Sequence, residues 1–76
     1  MLSAALAHIV KGIVDHPDDV VVRSSTSPRG DVLEVRVHPD DRGRVIGRGG
    51  RTAKALRTLV SALADGARVR VDVADD

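Results

Sequence analysis

The chain has 76 residues, 42% of them hydrophobic, and a formal net charge of +1. That suffices for one domain with a modest core in at most two layers, and it is too apolar for general disorder. With no cysteine and no Phe, Tyr or Trp, disulfides, thiol catalysis and cysteine-ligated zinc are excluded, as is recognition of bases by stacking on aromatic rings.

No apolar run reaches the length of a membrane span. The N-terminal stretch MLSAALAHIVKGIVDHPDD lacks the basic flank of a signal peptide. A cytoplasmic location without a membrane partner is expected.

Leu2, Leu6, Ile9 and Ile13 fall on one helical face, with Ala5, Val10 and Val14 beside it. A first helix is expected there, with Ser3 as its N-cap and His16-Pro17 as its end. Residues 20–23, VVVR, form a β-branched run and read as a first strand. SSTSPRG follows without periodicity and reads as a loop. In DVLEVRV, Leu33, Val35 and Val37 alternate with Glu34 and Arg36, the pattern of a half-buried second strand in a hairpin with the first. HPDDRGRVIG opens with Pro39 and two acids, which start a helix. The glycines over residues 47–50 keep that helix short. Another helix is expected over about residues 51–64, closed by Gly66. ARVRVDV then alternates Ala67, Val69, Val71 and Val73 against Arg68, Arg70 and Asp72, giving a third strand. The order α-β-β-α-α-β predicts a single two-layer α+β domain over 1–76, a three-stranded sheet with three helices on one face. Residues 74–76 are expected to form a frayed acidic tail.

HPDD occurs twice, at 16–19 and 38–41. His and Asp are both metal ligands, but one copy ends a helix and the other begins one. No further ligands recur at a familiar spacing, so no metal site is expected. His8 falls on the polar side of the first helix and is assigned to solvent. No Ser/His/Asp arrangement has supporting context, so neither an enzyme nor a cofactor is expected.

The densest chemistry lies in DRGRVIGRGGRTAKALR, residues 41–57, which holds four of the seven glycines and six of the twelve basic residues. Residues 42–57 carry +6, which leaves −5 on the rest of the chain. A basic block on an acidic body marks the place where a polyanion would bind. Two nucleotide motifs fail here. The P-loop read from Gly47 needs glycine at 52, and the dinucleotide fingerprint read from Gly47 and Gly49 needs it there too; both meet Thr52.

The pattern that fits is an apolar pair, a G-x-x-G turn and a helix, in VIGRGGRTAKALR. With its place between two helices and the order of elements, it resembles the KH domain in its bacterial type II form. The chain is similar over nearly its whole length to the small stand-alone KhpA family. The resemblance implies an RNA-binding protein that clamps about four single-stranded nucleotides at the loop. The binding residues it implies are Gly47, Arg48, Gly49, Gly50, Arg51, Lys54, Arg44, Val45 and Ile46. It also implies a post-transcriptional regulator or RNA chaperone, linked to cell-shape regulation, that forms homodimers or pairs with the larger KH protein KhpB (Jag). A module of the same fold that mainly docks a protein partner is the second reading.

The residues support the first reading independently. Without a Cβ at Gly47 and Gly50, a sugar-phosphate backbone can approach closely. The helix that follows offers its unpaired N–H groups, and Arg48 projects from the turn. Val45 and Ile46 are groove residues or the core beneath it. Gly49 departs from the family pattern, where a polar or basic residue is commoner, and the motif supplies no reason for it.

On a helical wheel of residues 51–64, Ala53, Leu56, Val60 and Leu63 form a core stripe opposite Arg51, Lys54, Arg57, Thr58 and Ser61. Ala55, Leu59 and Ala62 widen the apolar arc to roughly 200°. Either the first helix packs on this extension, or a second protein chain does so through Leu59.

Overall fold

A computed structural model describes residues 2–74. Its helices are α1 (Leu2–Lys11), α2 (Arg42–Ile46) and α3 (Arg51–Leu63), and its strands are β1 (Val21–Ser27), β2 (Gly30–Arg36) and β3 (Val69–Val73). They follow one another in the expected order α-β-β-α-α-β. Short 3-10 turns lie at Pro17–Asp19, Pro39–Asp41 and Arg48–Gly50. Among the described residues the strands form one sheet in the order β1-β2-β3, antiparallel between β1 and β2 and parallel between β2 and β3. A parallel neighbour demands a long crossover, and α2 and α3 supply it.

Alternation along the strands turns Leu33, Val35 and Val71 toward the helices. There they meet Leu6 and Val10 of α1, Val45 of α2, and Leu56 and Val60 of α3, all buried. The second face of the sheet carries Arg23, Glu34, Arg70 and Asp72, which pair across neighbouring strands as Arg23↔Glu34 and Glu34↔Asp72. One apolar layer thus holds the fold together, and it is built from small branched side chains. No helix among the described residues is long and apolar enough to cross a membrane.

Three expectations are corrected. First, α1 stops at Lys11 rather than at His16. Gly12 is a poor helix residue, and bonds from Gly12 N to Ile9 O (3.1 Å) and from Ile13 N to Val10 O (2.9 Å) tighten the last turn. Ile13 and Val14 still pack on the core, but from that turn. Ser3 lies within the first turn of α1, so it is not the cap. Second, residues 24–27 are strand, not loop, and pair with residues 30–33. Only Pro28 and Arg29 remain between the strands. Ser27 Oγ donates to Gly30 O at 2.7 Å and accepts from Arg29 N at 3.3 Å. Cross-strand bonding defines this end of β1, and an edge strand with polar side chains leaves no apolar alternation to read. Third, Leu63 is 56% exposed and Leu59 48% exposed. Neither Leu63's place in the core stripe nor a cover of α1 over Ala55, Leu59 and Ala62 is realised.

Asp65 (φ 51°) and Gly66 (φ 89°) turn the chain from α3 into β3. Beyond β3, Ala74 N donates to Val35 O at 2.8 Å. Asp75 and Asp76, the rest of the expected tail, lie outside the described residues.

Candidate functional site

The turn between α2 and α3 is built on backbone angles that few residues accept. α2 closes with Gly47 N donating to Gly43 O at 2.8 Å. Gly47 then takes φ 79°, ψ 169°, a region essentially reserved for glycine. A Cβ there would collide with Thr52 Oγ1 and stand 2.7 Å from the Thr52 backbone nitrogen. The bare Cα of Gly47 therefore faces the protein and lets the turn pack on α3, instead of opening to a ligand as the sequence suggested. Gly49 (φ 64°, ψ 22°) and Gly50 (φ 77°, ψ 13°) are both left-handed. A Cβ on either would meet nothing within 4 Å. The left-handed φ supplies the reason for Gly49 that the motif lacked. Gly49 and Gly50 both open outward, and of the two glycines expected to admit a ligand only Gly50 does so.

α3 starts at Gly50 with no side-chain cap. Gly50 N reaches Gly47 O at 3.1 Å, and Arg51 N reaches Arg48 O. The positive end of the helix thus lies at the turn. Around it, Arg48, Arg51 and Lys54 are exposed, and among the described residues none of the three makes an ion pair. The other three basic residues of the block are engaged. Arg44 Nη1 pairs with Asp15 Oδ1 at 3.0 Å, Arg57 Nε donates to Val71 O at 3.1 Å, and Arg42 has an interaction of its own.

The apolar pair divides. Val45 is completely buried, whereas Ile46 is 40% exposed. Ile46 forms one wall of an open cleft of about 550 Å³ with Gly50, Ala53 and Arg57, and the other wall is Asp72, Val73 and Ala74 with Glu34. Ile46, Ala53, Val73 and Ala74 make its aliphatic part. Glu34 and Asp72 at the rim are each paired with an arginine two residues away, Arg36 and Arg70, at 3.0 Å. Of the expected residues, then, Ile46 and Gly50 line this cleft, Arg51 and Lys54 line a second open depression with Ala55, Thr58 and Leu59, and Arg48 and Gly49 are exposed on the turn itself. Val45 lies beneath it and Arg44 turns to Asp15. The β3 wall was not foreseen. Alternation identifies Val73 as inward-facing, but only the crossover puts the β3 edge beside α3.

Asp41, at the start of α2, ties that helix to the segment leaving α1. Its side chain is buried at 2% exposure and accepts Asp15 N at 3.1 Å and His16 N at 2.9 Å. Burial alone would push its carboxyl up. The two N–H donors, with His16 and Arg44 close by, outweigh that and hold it below its ordinary 3.8. The sequence read Asp41 only as a helix-start acid, because its partners lie 25 and 26 residues away.

A family model described as KhpA/KhpB, KH domain, matches residues 3–74. The chain belongs to the KhpA/KhpB KH-domain family. Its element order and mixed sheet are the type II KH topology. The chain is 78% identical to the RNA-binding protein KhpA of Leifsonia xyli subsp. xyli, over all of both chains. It is 67% identical to the RNA-binding protein KhpA of Streptomyces coelicolor, over 99% of this chain and 94% of that one. The protein of the same name from Halalkalibacterium halodurans is 47% identical, over 97% of this chain and all of that one. A solved structure of Aquifex aeolicus Era, bound to GDP and aluminium fluoride, matches 95% of this chain with 29% of its own, at a TM-score of 0.64 and 15% identity. That likeness concerns the fold alone.

Proposed function

We propose that the chain binds single-stranded RNA and clamps the sugar-phosphate backbone at residues 47–50. One observation carries this reading. Three cations without ion-pair partners, Arg48, Arg51 and Lys54, surround an uncapped helix start whose Gly50 is open to solvent. Phosphate oxygens suit such a place, since they accept from backbone N–H groups and pair with guanidinium. Beside it, Ile46 and Val73 on opposite walls of the cleft offer aliphatic surface for the flat faces of bases, which suits a chain without aromatic rings. Val45 acts from beneath, as packing that sets the turn. Arg44 adds charge only if its surface pair with Asp15 opens, a change of small energy. The names of the relatives above, RNA-binding protein KhpA, support the same reading.

The test is a variant with Arg48 and Gly49 both changed to Asp. The chain already holds one aspartate in the left-handed region, Asp65 at φ 51°, so the fold is expected to survive; circular dichroism checks this. Binding to a short single-stranded RNA at two salt concentrations is expected to fall steeply in the variant. A folded variant that binds like the wild type removes the loop as the clamp.

A protein contact is favoured by a separate observation. Leu59 and Leu63, 48% and 56% exposed, stand uncovered on α3 with Ala55 and Ala62. We read this face as the contact for a second copy of the chain or for a KhpB-like partner, in a cytoplasmic regulator or chaperone of RNA. Sedimentation tests it: Leu59→Glu should convert a dimer to a monomer. A monomeric wild type, or a dimer that the substitution leaves intact, sinks the homodimer.

A further inference from the structure

The two HPDD segments, to which the sequence assigns separate tasks, meet in the fold. Asp41 of the second takes the backbone N–H of His16 in the first at 2.9 Å. The two imidazole rings then stack, with centroids 4.0 Å apart and planes 21° from parallel. Asp40 Oδ2 stands 3.6 Å from His38 Nδ1. One ligand atom each from His16, His38 and Asp40 all lie within 4.8 Å of one another.

From this juxtaposition we infer a zinc(II) site held by His16, His38 and Asp40. Two imidazole nitrogens and one carboxylate oxygen are donors that zinc accepts, with water completing a tetrahedron. Ligand atoms in such a shell stand roughly 3.4 Å apart, because each lies about 2.0–2.2 Å from the ion. The His38–Asp40 separation of 3.6 Å is already near that value. Imidazole binds a metal in the plane of its ring, so the exposed His16 ring must swing out of its stack on His38 to aim a nitrogen at the ion; His16 and Asp40 are exposed, and both can rotate without disturbing the core. His38 Nδ1 at present accepts from Asp40 N at 3.1 Å. Zinc at either nitrogen ends this bond: at Nδ1 it takes the accepting lone pair, and at Nε2 it requires the tautomer with the proton on Nδ1, so the Asp40 amide is released to water. The backbones that carry the ligands are already tied together by Asp41.

Among the described residues, the open clefts at the β2–β3 end, between α3 and β3, and on α3 are not lined by His16, His38 or Asp40, and the ion acts there as a staple. It joins the segment leaving α1 to the turn that starts α2, and α2 leads to the turn at residues 47–50. Spacing along the chain could not reveal the site, because its ligands come from segments 22 residues apart in numbering (His16 and His38).

The test titrates zinc chloride into tag-free protein near neutral pH, by calorimetry and by the NMR signals of the histidine rings. An exposed three-ligand site should saturate with one equivalent at a Kd on the order of 10 μM. The His16 and His38 ring signals should shift together and those of His8 should stay. Replacing both His16 and His38 with Ala should weaken zinc binding at least tenfold (about 1.4 kcal/mol), whereas His8→Ala leaves it unchanged. Absence of saturable binding to the wild type overturns the site, as does wild-type affinity in the folded double variant or a response centred on His8. If the double variant does not fold, the ring signals of the wild type decide.

Discussion

Gly47 and Gly49 sit two residues apart at positive φ, 79° and 64°, and answer to different constraints. Gly47 is bound by both angle and space, since its missing Cβ is where Thr52 packs. Gly49 is bound by angle alone. Gly47→Ala should therefore cost roughly 1–3 kcal/mol in backbone strain and more through displacement of the first turn of α3. Gly49→Asn, open on all sides and tolerant of the left-handed region, should cost about 1 kcal/mol or less. In thermal melts of a chain this size, about 1 kcal/mol moves Tm by about 4–8 °C, so the two variants should separate clearly. Equal losses would contradict the roles given to the two glycines. A G-x-x-G spacing marks the first and last glycines of the turn. The reason for Gly49 lies in a dihedral angle, which no spacing contains.

At the scale of elements, strands with one buried face were readable, and so was the start of α3; Pro39 and its two acids form a 3-10 turn that leads into α2 at Arg42 rather than the first turn of α2 itself. Leu33, Val35 and Val71 are buried as their alternation required. What failed had no local signal. The polar half of β1 is strand only because β2 lies beside it, and Leu63 is exposed because no element covers that flank of α3. Asp41 is the clearest case. Its sequence neighbours make it a helix-start acid, while its work is to join the exit of α1 to the entry of α2 through two N–H donors. Because its folded pKa lies below the ordinary 3.8, its stabilisation is present above that value and is lost as pH falls through the folded pKa. Denaturant midpoints of the wild type and Asp41→Asn, taken between about pH 6 and pH 3, should differ most at the upper end and draw together at the lower. A constant gap would mean that the charge on Asp41 is not what holds the two elements.

For the whole molecule, the central feature is a segregation of charge. Residues 42–57 carry +6 against −5 elsewhere, and within that block Arg48, Arg51 and Lys54, exposed and without ion pairs among the described residues, lie in or next to the first turn of α3. Three phosphate contacts on a single strand should give a slope of about −2 in log K against log salt, at roughly −0.7 per contact. Lys54→Ala should flatten that slope by about 0.7, while Arg57→Ala, whose side chain serves the β3 edge, should change it little. Charge clustering was visible in the sequence. Which cations were available was not, because Arg44 and Arg57 are occupied by partners 29 and 14 residues away. The most direct measurement is a map of backbone amide shifts as a short single-stranded RNA is added to isotope-labelled protein. The largest changes should fall on residues 47–54 and on Val73 and Ala74 across the cleft. Changes confined to the Leu59 face of α3, or to the hairpin at Pro28 and Arg29, would contradict the assignment of the turn as the RNA clamp.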